Sequence, residues 1–591
     1  MPPSPGPSPS IGPSGYVARI NPFPVTDSAG RALELAFLGG LNTPRPQLVD
    51  ADGDGDLDLF IQEYSDRLML LERDGTGPDG LPRFELRSTR YAGLAIGEWY
   101  RFSDLDGDGD LDLLSELPFS YVRYWRNVGT RAAPRFVAAP DSLRDAEGQA
   151  LFADRQNILQ AADIDCDRMP DLLVGRITGT VIHYEMVAGS PPEAPRFRFV
   201  TDRFENIEIV AQFGSAHGAN TMTLADYDED ADLDLFWGDF FEQGLLLVEN
   251  TGTCAAPSLR GQPAPFPPEA PLKTSGYNAP TYGDVDADGR GDLIVGVLGG
   301  AFNPNRTTIA NLHLLTRDAA GRFVARTGQL LPMLDVGSES VPALVDLDRD
   351  GDLDLLLANK IDPALQTVGQ IYRIENTGSG RDPAFRLAGV LPVGSTYHPA
   401  PAFGDLDGDG DLDLLLGSWS ARVGYYRNEG GGPVPAFATV DTALVTITRG
   451  SNTTPALGDL DGDGDLDLLV GEASGALNFY RNEGGPREPR FVLVSDTLNG
   501  IDVGRRSAPA LADVDGDGDL DLVVGSDADG LLLFRNAGTR TAPRFVRDET
   551  FRLDVPPFAT PALGDLDGDG DLDLVVGGVG GGAVYFERIG R

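Results

Sequence analysis

A chain of 591 residues that sets 91 Asp and Glu against 47 Lys and Arg carries a formal charge of -44, which disfavours nucleic acid and anionic membrane surfaces as partners. Two cysteines exclude a disulfide framework, Cys166 and Cys254 match no zinc or redox spacing, and no run of about 18 apolar residues exists for direct membrane insertion. The acid is not scattered as in a solvated disordered chain, because 48 of the acidic residues fall at alternate positions of ten short loops.

Residues 1–15, MPPSPGPSPSIGPSG, read as a flexible Pro/Ser-rich segment. They hold neither a basic n-region nor an apolar h-region, so they are not a signal peptide. The expectation is a processed or trimmed chain whose export signal is not part of this sequence. From residue 16 onward one pattern recurs to the end.

Its loop residues at positions 1, 3, 5, 7 and 9 are, in chain order, Asp50, Asp52, Asp54, Asp56 and Asp58; Asp104, Asp106, Asp108, Asp110 and Asp112; Asp163, Asp165, Asp167, Met169 and Asp171; Asp226, Asp228, Asp230, Asp232 and Asp234; and Asp284, Asp286, Asp288, Arg290 and Asp292. The second half of the chain continues with Asp346, Asp348, Asp350, Asp352 and Asp354; Asp405, Asp407, Asp409, Asp411 and Asp413; Asp459, Asp461, Asp463, Asp465 and Asp467; Asp513, Asp515, Asp517, Asp519 and Asp521; and Asp565, Asp567, Asp569, Asp571 and Asp573. A calcium ion takes six to eight oxygens from a chain that turns sharply around it. Carboxylates at positions 1, 3, 5 and 9, a backbone carbonyl at position 7 and glycine at position 6 suit that demand. Eight loops keep the glycine; the third has Arg168 there and the fourth Ala231, so weaker binding is expected in the third. About ten calcium ions, one per repeat, would bring the formal charge from -44 to about -24. The bland role for such ions is to staple turns. Catalytic metal use is not expected, because no histidine lies near a loop.

Successive loops begin 52 to 63 residues apart. In the unit from Pro455, the loop leads into Leu468-Leu469-Val470-Gly471, then Ala476 to Asn482, then Pro489-Arg490-Phe491-Val492. Four short β-strands fit these runs, and no helical period appears. Such a unit cannot bury both faces alone, and radial stacking of blades is the all-β solution. The expected fold is therefore all-β, a single β-propeller of about ten four-stranded blades over residues 16–591. The alternative is a seven- or eight-bladed ring plus extra units. The last unit ends after Val584 to Arg588 without a fourth strand, and Asn21 to Val25 resembles the missing piece. The N-terminal segment is thus expected to close the final blade.

The Asp loop, the strand running to glycine and the Arg-Asn-x-Gly turn (Arg427-Asn428, Arg481-Asn482, Arg535-Asn536) recur in order. In this the chain resembles the FG-GAP/VCBS repeat of integrin-α-like calcium β-propellers. The resemblance implies a calcium-bound, non-enzymatic adhesion or protein-interaction scaffold, secreted, on the cell surface or in the periplasm. Its partner would be a protein or a larger surface assembly, with a glycan as the second partner class. From a different class, the aromatic and Arg-rich face could make a carbohydrate-binding propeller or a calcium-dependent polysaccharide lyase.

In an antiparallel blade the calcium loops join strands 1 and 2, so a separate recognition surface would come from the 2–3 turns and the residues before strand 1. Those positions hold Trp99, Tyr100, Phe119, Tyr121, Trp237, Phe240, Phe241, Tyr277, Asn278, Tyr397, His398, Trp419, Arg422, Arg505 and Arg506; half or more would simply pack between blades. The longest insertions, Leu298 to Asn311 and Asn359 to Gly369, mark the arc where a protein partner is expected. His183 and His313 read as packing residues, and His217 and His398 as exposed. A disulfide between Cys166 and Cys254 is left open, with two free thiols favoured because an inner and an outer loop would have to meet.

Overall fold

The computed structural model describes residues 15–590 apart from 155–156, 177, 208–220, 239–242, 261–262, 299–306, 431–433 and 486. Among the described residues the chain forms ten sheets, one after another along the sequence. Among the described residues helix is confined to three 3-10 turns at Tyr91–Gly93, Phe204–Asn206 and Leu498–Gly500. The eighth sheet shows the rule. Its strands Thr454–Gly458, Asp467–Gly471, Leu477–Asn482 and Phe491–Ser495 pair antiparallel in chain order.

The strand after each loop is the most buried because its apolar run faces a neighbouring sheet on both sides; Asp467–Gly471 is buried at every position. The innermost strand carries proline, as at Pro455, Pro509 and Pro561. An edge strand tolerates that missing N–H. The glycine that ends the second strand is required by close approach: a Cβ on Gly471 would overlap the Ser507 carbonyl and the Pro509 ring of the next sheet, and Gly525 stands likewise against Ala559 and Pro561.

The tenth sheet takes its outer strand from the N-terminus, as expected, but the pairing residues are Tyr16–Arg19, with Tyr16 opposite Arg588 and Arg19 opposite Tyr585. Asn21 to Val25 does not fill that place. Pro22 and Pro24 cannot donate to a ladder. Instead Phe23 packs against Tyr585 with ring centroids 5.2 Å apart, and Val25–Thr26 runs parallel beside Phe385–Val390 as a fifth strand of the sixth sheet.

The chain divides into two compact units, residues 42–331 with the first five sheets and residues 1–41 with 332–591 holding the other five. The ten sheets are thus divided five and five between the two units. Within each unit the last sheet packs on the first as intermediate sheets pack on their neighbours. A Cβ on Gly296 would overlap Pro44 and meet Pro46, and one on Gly577 would overlap Ser340 and meet Pro342. Leu48 N donates to Thr281 Oγ1 at 3.0 Å in one unit, and Thr560 Oγ1 to Ser340 O at 2.8 Å in the other. The repeat period could not reveal this, because a sheet presents the same two faces whichever sheet packs on it.

Candidate metal centres and the opposite face

Each acidic loop is folded by its own carboxylates. In the seventh, Asp405 accepts from Gly408 N at 2.7 Å and Gly410 N at 3.1 Å, Asp407 from Asp409 N at 3.2 Å and Asp409 from Asp411 N at 2.8 Å. These short side-chain to backbone bonds curl the chain about its own acids. Among the described residues ten groups of at least three Asp, Glu, His or Cys side chains have ligand atoms within 4.8 Å of one another; they include Asp50, Asp52 and Asp54 in the first loop and Asp284, Asp286 and Asp292 in the fifth.

Positions 4 and 6 are left-handed. Gly408 and Gly410 have φ of 70° and 90°, and where glycine is missing the side-chain residues hold the same conformation, Cys166 at 62°, Arg168 at 71° and Ala231 at 72°. The departures in the third and fourth loops thus keep the turn.

Position 9 differs from the rest. These aspartates are at most 3 % exposed. Asp467 Oδ2 accepts Leu460 N at 3.0 Å and Oδ1 accepts Asn482 N at 2.8 Å, so it pins the loop to the start of the second strand and the end of the third. Burial pushes Asp58, Asp112 and Asp467 up to about 6 and Asp234, Asp292, Asp354 and Asp573 up to about 7, while their backbone donors pull the other way.

The Arg-Asn-x-Gly turn belongs to the same construction. Arg126 Nε lies 2.7 Å from Asp106, Arg481 Nε 3.1 Å from Asp461 and Arg535 Nη1 3.2 Å from Asp515, so the arginine reaches loop position 3. The asparagine closes the 3–4 turn: Asn482 Oδ1 accepts Gly484 N at 3.1 Å and Arg490 N at 2.9 Å. The recurrence of the asparagine one place after the arginine was the sequence signal for this pin.

Position 7 side chains go to varied places. Asp110 accepts Arg131 N at 2.7 Å, Arg290 pairs with Asp288 at 2.5 Å, Met169 packs beside an apolar core and Asp411 meets Arg349 of the preceding loop. Only the backbone of this position is common to all loops.

Five loop carboxylate oxygens are buried without a hydrogen-bond partner: Oδ1 of Asp232, Asp346, Asp352, Asp461 and Asp571. Burial and the neighbouring acids Asp350 and Asp569 raise Asp352 and Asp571 to about 6. An anionic oxygen out of water with no donor is costly. A hard divalent cation satisfies such oxygens, so the donor set fits calcium.

Neighbouring sheets meet over these loops. Arg131, in the 3–4 turn of the second sheet, lies 3.3 Å from Asp50 of the first, and Arg540 of the ninth 3.2 Å from Asp459 of the eighth. At the equivalent place Cys254 of the fourth sheet forms a disulfide with Cys166 of the third loop, Cα atoms 5.6 Å apart. This overturns the expectation of free thiols. Sheet twist carries the outer turn of one sheet over the inner loop of the one before it.

On the opposite face Trp99, Tyr100, Trp237, Tyr277 and Asn278 are buried, whereas Phe119, Tyr121 and Trp419 are exposed. Arg422 and Arg505 are exposed too, and Arg505 pairs with Asp527 at 3.2 Å. His183 and His313 lie in strands, as expected. His398, expected exposed, is 1 % exposed. The stretch from Asn359 is folded inward, with Asn359, Lys360 and Asp362 buried. Phe240, Phe241, His217 and 299–306 of the Leu298 to Asn311 insertion lie outside the described residues.

Comparison with known proteins adds a family. The model of the FG-GAP-like repeat matches residues 50–115, 346–416, 405–470, 459–524 and 513–576. Integrin alpha-4 of Xenopus laevis is 29 % identical over 188 residues, 28 % of this chain and 17 % of that protein; integrin alpha-3 of Cricetulus griseus is 27 % identical over 189 residues, 29 % and 18 % respectively. The match thus spans less than a fifth of either relative. A solved β-xylosidase structure overlaps 43 % of this chain and 92 % of its own at 10 % identity, with a TM-score of 0.27, a level that bears on nothing further. With five matched repeats covering half of its length, each starting on an acidic loop of the geometry described above, the chain belongs to the FG-GAP-like repeat family.

Proposed function

We propose that the protein is a non-enzymatic, calcium-stapled scaffold for adhesion or protein interaction outside the cytoplasm, secreted, on the cell surface or in the periplasm, and that each five-sheet unit is a five-bladed β-propeller. The observation that carries the metal reading is the convergence of loop carboxylates such as Asp50, Asp52 and Asp54, with ligand oxygens within 4.8 Å of one another, together with the buried, unpartnered Oδ1 of Asp346 and Asp461 at positions 1 and 3 of their loops. In each loop the carboxylates at positions 1, 3 and 5 and the backbone carbonyl at position 7 would hold the ion. Position 9 would contribute while keeping its two backbone hydrogen bonds. The ion supplies charge compensation, and with it folding free energy, because the site is absent from the unfolded chain.

The blade reading is supported by the return of the last sheet to the first in both units. An oxidising compartment is supported by the Cys166–Cys254 disulfide, and the interaction role by integrin alpha relatives. Thermal melting with calcium and with excess chelator tests the staple: the transition should fall markedly on chelation and recover when calcium is restored. A melt indifferent to chelator would sink the calcium reading. Pull-down from the native source with the calcium-loaded chain tests the scaffold role, with one reproducible protein partner as the expected result.

A further inference from the structure

In the unit formed with residues 332–591, the residue seven places before each loop's first aspartate stands just ahead of an innermost strand. These residues are Glu339, His398, Asn452, Arg506 and Phe558. All five are left-handed, with φ of 45°, 56°, 60°, 50° and 58°. Side chains tolerate that region only where the surroundings impose it. Here the backbone imposes it: His398 N donates to Lys360 O at 3.0 Å, Asn452 N to Trp419 O at 3.0 Å, Arg506 N to Ala473 O at 3.2 Å, Phe558 N to Asp527 O at 3.4 Å and Glu339 N to Val579 O at 3.3 Å. The cycle closes after five steps, so five side chains from five sheets converge.

They converge on chemistry. The Glu339 carboxylate lies 2.5 Å from Lys360 Nζ, 2.8 Å from Arg506 Nη1 and 3.7 Å from His398 Nε2. Lys360 is one of only two lysines in a chain of 47 basic residues, and it is 9 % exposed. The Arg506 guanidinium lies 4.9 Å from the Phe558 ring centre and 5.6 Å from that of Trp419. Tyr397 meets the same indole edge-on at 5.6 Å. Trp419 remains 43 % exposed.

The proton inventory is incomplete. His398 Nδ1 bonds Asn452 Oδ1, which as an acceptor places the ring proton on Nδ1 and leaves Nε2 a bare lone pair. That Nε2 is buried with no hydrogen-bond partner. Two acceptors, His398 Nε2 and the Glu339 carboxylate, face each other at 3.7 Å, beyond a direct hydrogen bond and with no donor between them. Beside them Lys360 and Arg506 offer N–H groups to an oxygen, and Trp419 offers a flat apolar face. A ligand that donates and accepts through neighbouring hydroxyls while presenting a C–H face matches all three demands. That ligand is a sugar ring.

We propose that Glu339, His398, Lys360, Arg506 and Trp419 form a carbohydrate-binding site on the face away from the acidic loops. One sugar hydroxyl donates into the gap between His398 Nε2 and Glu339 and accepts from Lys360 or Arg506, and the ring lies against Trp419. Asn452 is a positioning residue that fixes the histidine tautomer. The site goes beyond the scaffold reading and does not depend on a protein partner.

The calcium-saturated full chain is applied to an array of neutral and acidic oligosaccharides, and the best-retained oligosaccharide is titrated in solution by tryptophan fluorescence and by calorimetry. The expected result is specific retention by the wild type. Trp419→Ala and Lys360→Met should each weaken it roughly tenfold or more, and Trp419→Ala, at an exposed position, should leave the melt unchanged. Glu339→Gln should lose binding as well, whatever its effect on folding. Absence of any retained oligosaccharide, or retention untouched by Trp419→Ala, overturns the site and leaves the cluster a plug of the ring centre.

Discussion

Arg168 shows how the loop separates backbone demand from ligand demand. It sits at φ 71° where eight loops place glycine, and a side chain in the left-handed region costs about 1 kcal/mol or more. Arg168→Gly should therefore raise stability by about 1 kcal/mol, read from denaturant unfolding in calcium, and remove a cation beside three carboxylates. Position 9 is the opposite case. Asp467→Ala strips two buried backbone N–H groups of their acceptor and should cost about 2–4 kcal/mol with or without calcium. Asp463→Asn, at exposed position 5, should instead lower the calcium-dependent part of the melt alone. From spacing, both residues look like equivalent ligands. Burial is what distinguishes them, and burial depends on which residues the third strand brings alongside.

His398 carries a pH signature at the same scale. Burial holds it down to about 4 from an ordinary 6.5, against the pull of Glu339 and Asn452 and with Arg506 and Lys360 pushing the same way as burial. The unfolded chain then binds a proton between those values that the folded chain refuses. Stability is fully present above pH 6.5 and is lost as pH falls toward 4. In melts between pH 7 and pH 4.5, His398→Gln should lose less of its midpoint than the wild type; parallel curves would place the histidine outside the acid response.

Among the elements, the N-terminal segment is held twice. Tyr16–Arg19 completes the tenth sheet, and Val25–Thr26 extends the sixth. Phe23 adds an apolar anchor in a core with Phe37, Phe385 and Tyr585. Removing residues 16–35 should lower the melting temperature by several degrees, since two sheets of one unit lose a strand. The need for a missing strand was legible in the truncated last unit. Which residues fill it was not, because similarity of Asn21 to Val25 to another outer strand ignored the two prolines. The disulfide has the same lesson. Spacing along the chain left the pairing of Cys166 and Cys254 open, and only the overlap of turn and loop between twisted sheets brought their Cα atoms to 5.6 Å.

At the scale of the molecule, two units of five sheets make a prediction that one body of ten does not. Residues 42–331 contain the first five sheets together with the contacts that return the fifth to the first. Expressed alone in calcium they should fold cooperatively, with strand-rich circular dichroism and a single melting transition; a chain that stays unfolded would tie their stability to the remaining residues. By itself the sequence determined the strands, the ten loops and the acid they concentrate, because a hard cation's oxygen demand and a two-residue side-chain period are local and leave local marks. Where the last sheet of a unit meets the first, which aspartate is a pin rather than a free ligand, and the meeting of five residues spaced 52 to 59 apart around one carboxylate emerge from the folded packing alone. Those outcomes depend on which sheets pack on one another, and that is set by whole sheets rather than by any stretch of chain.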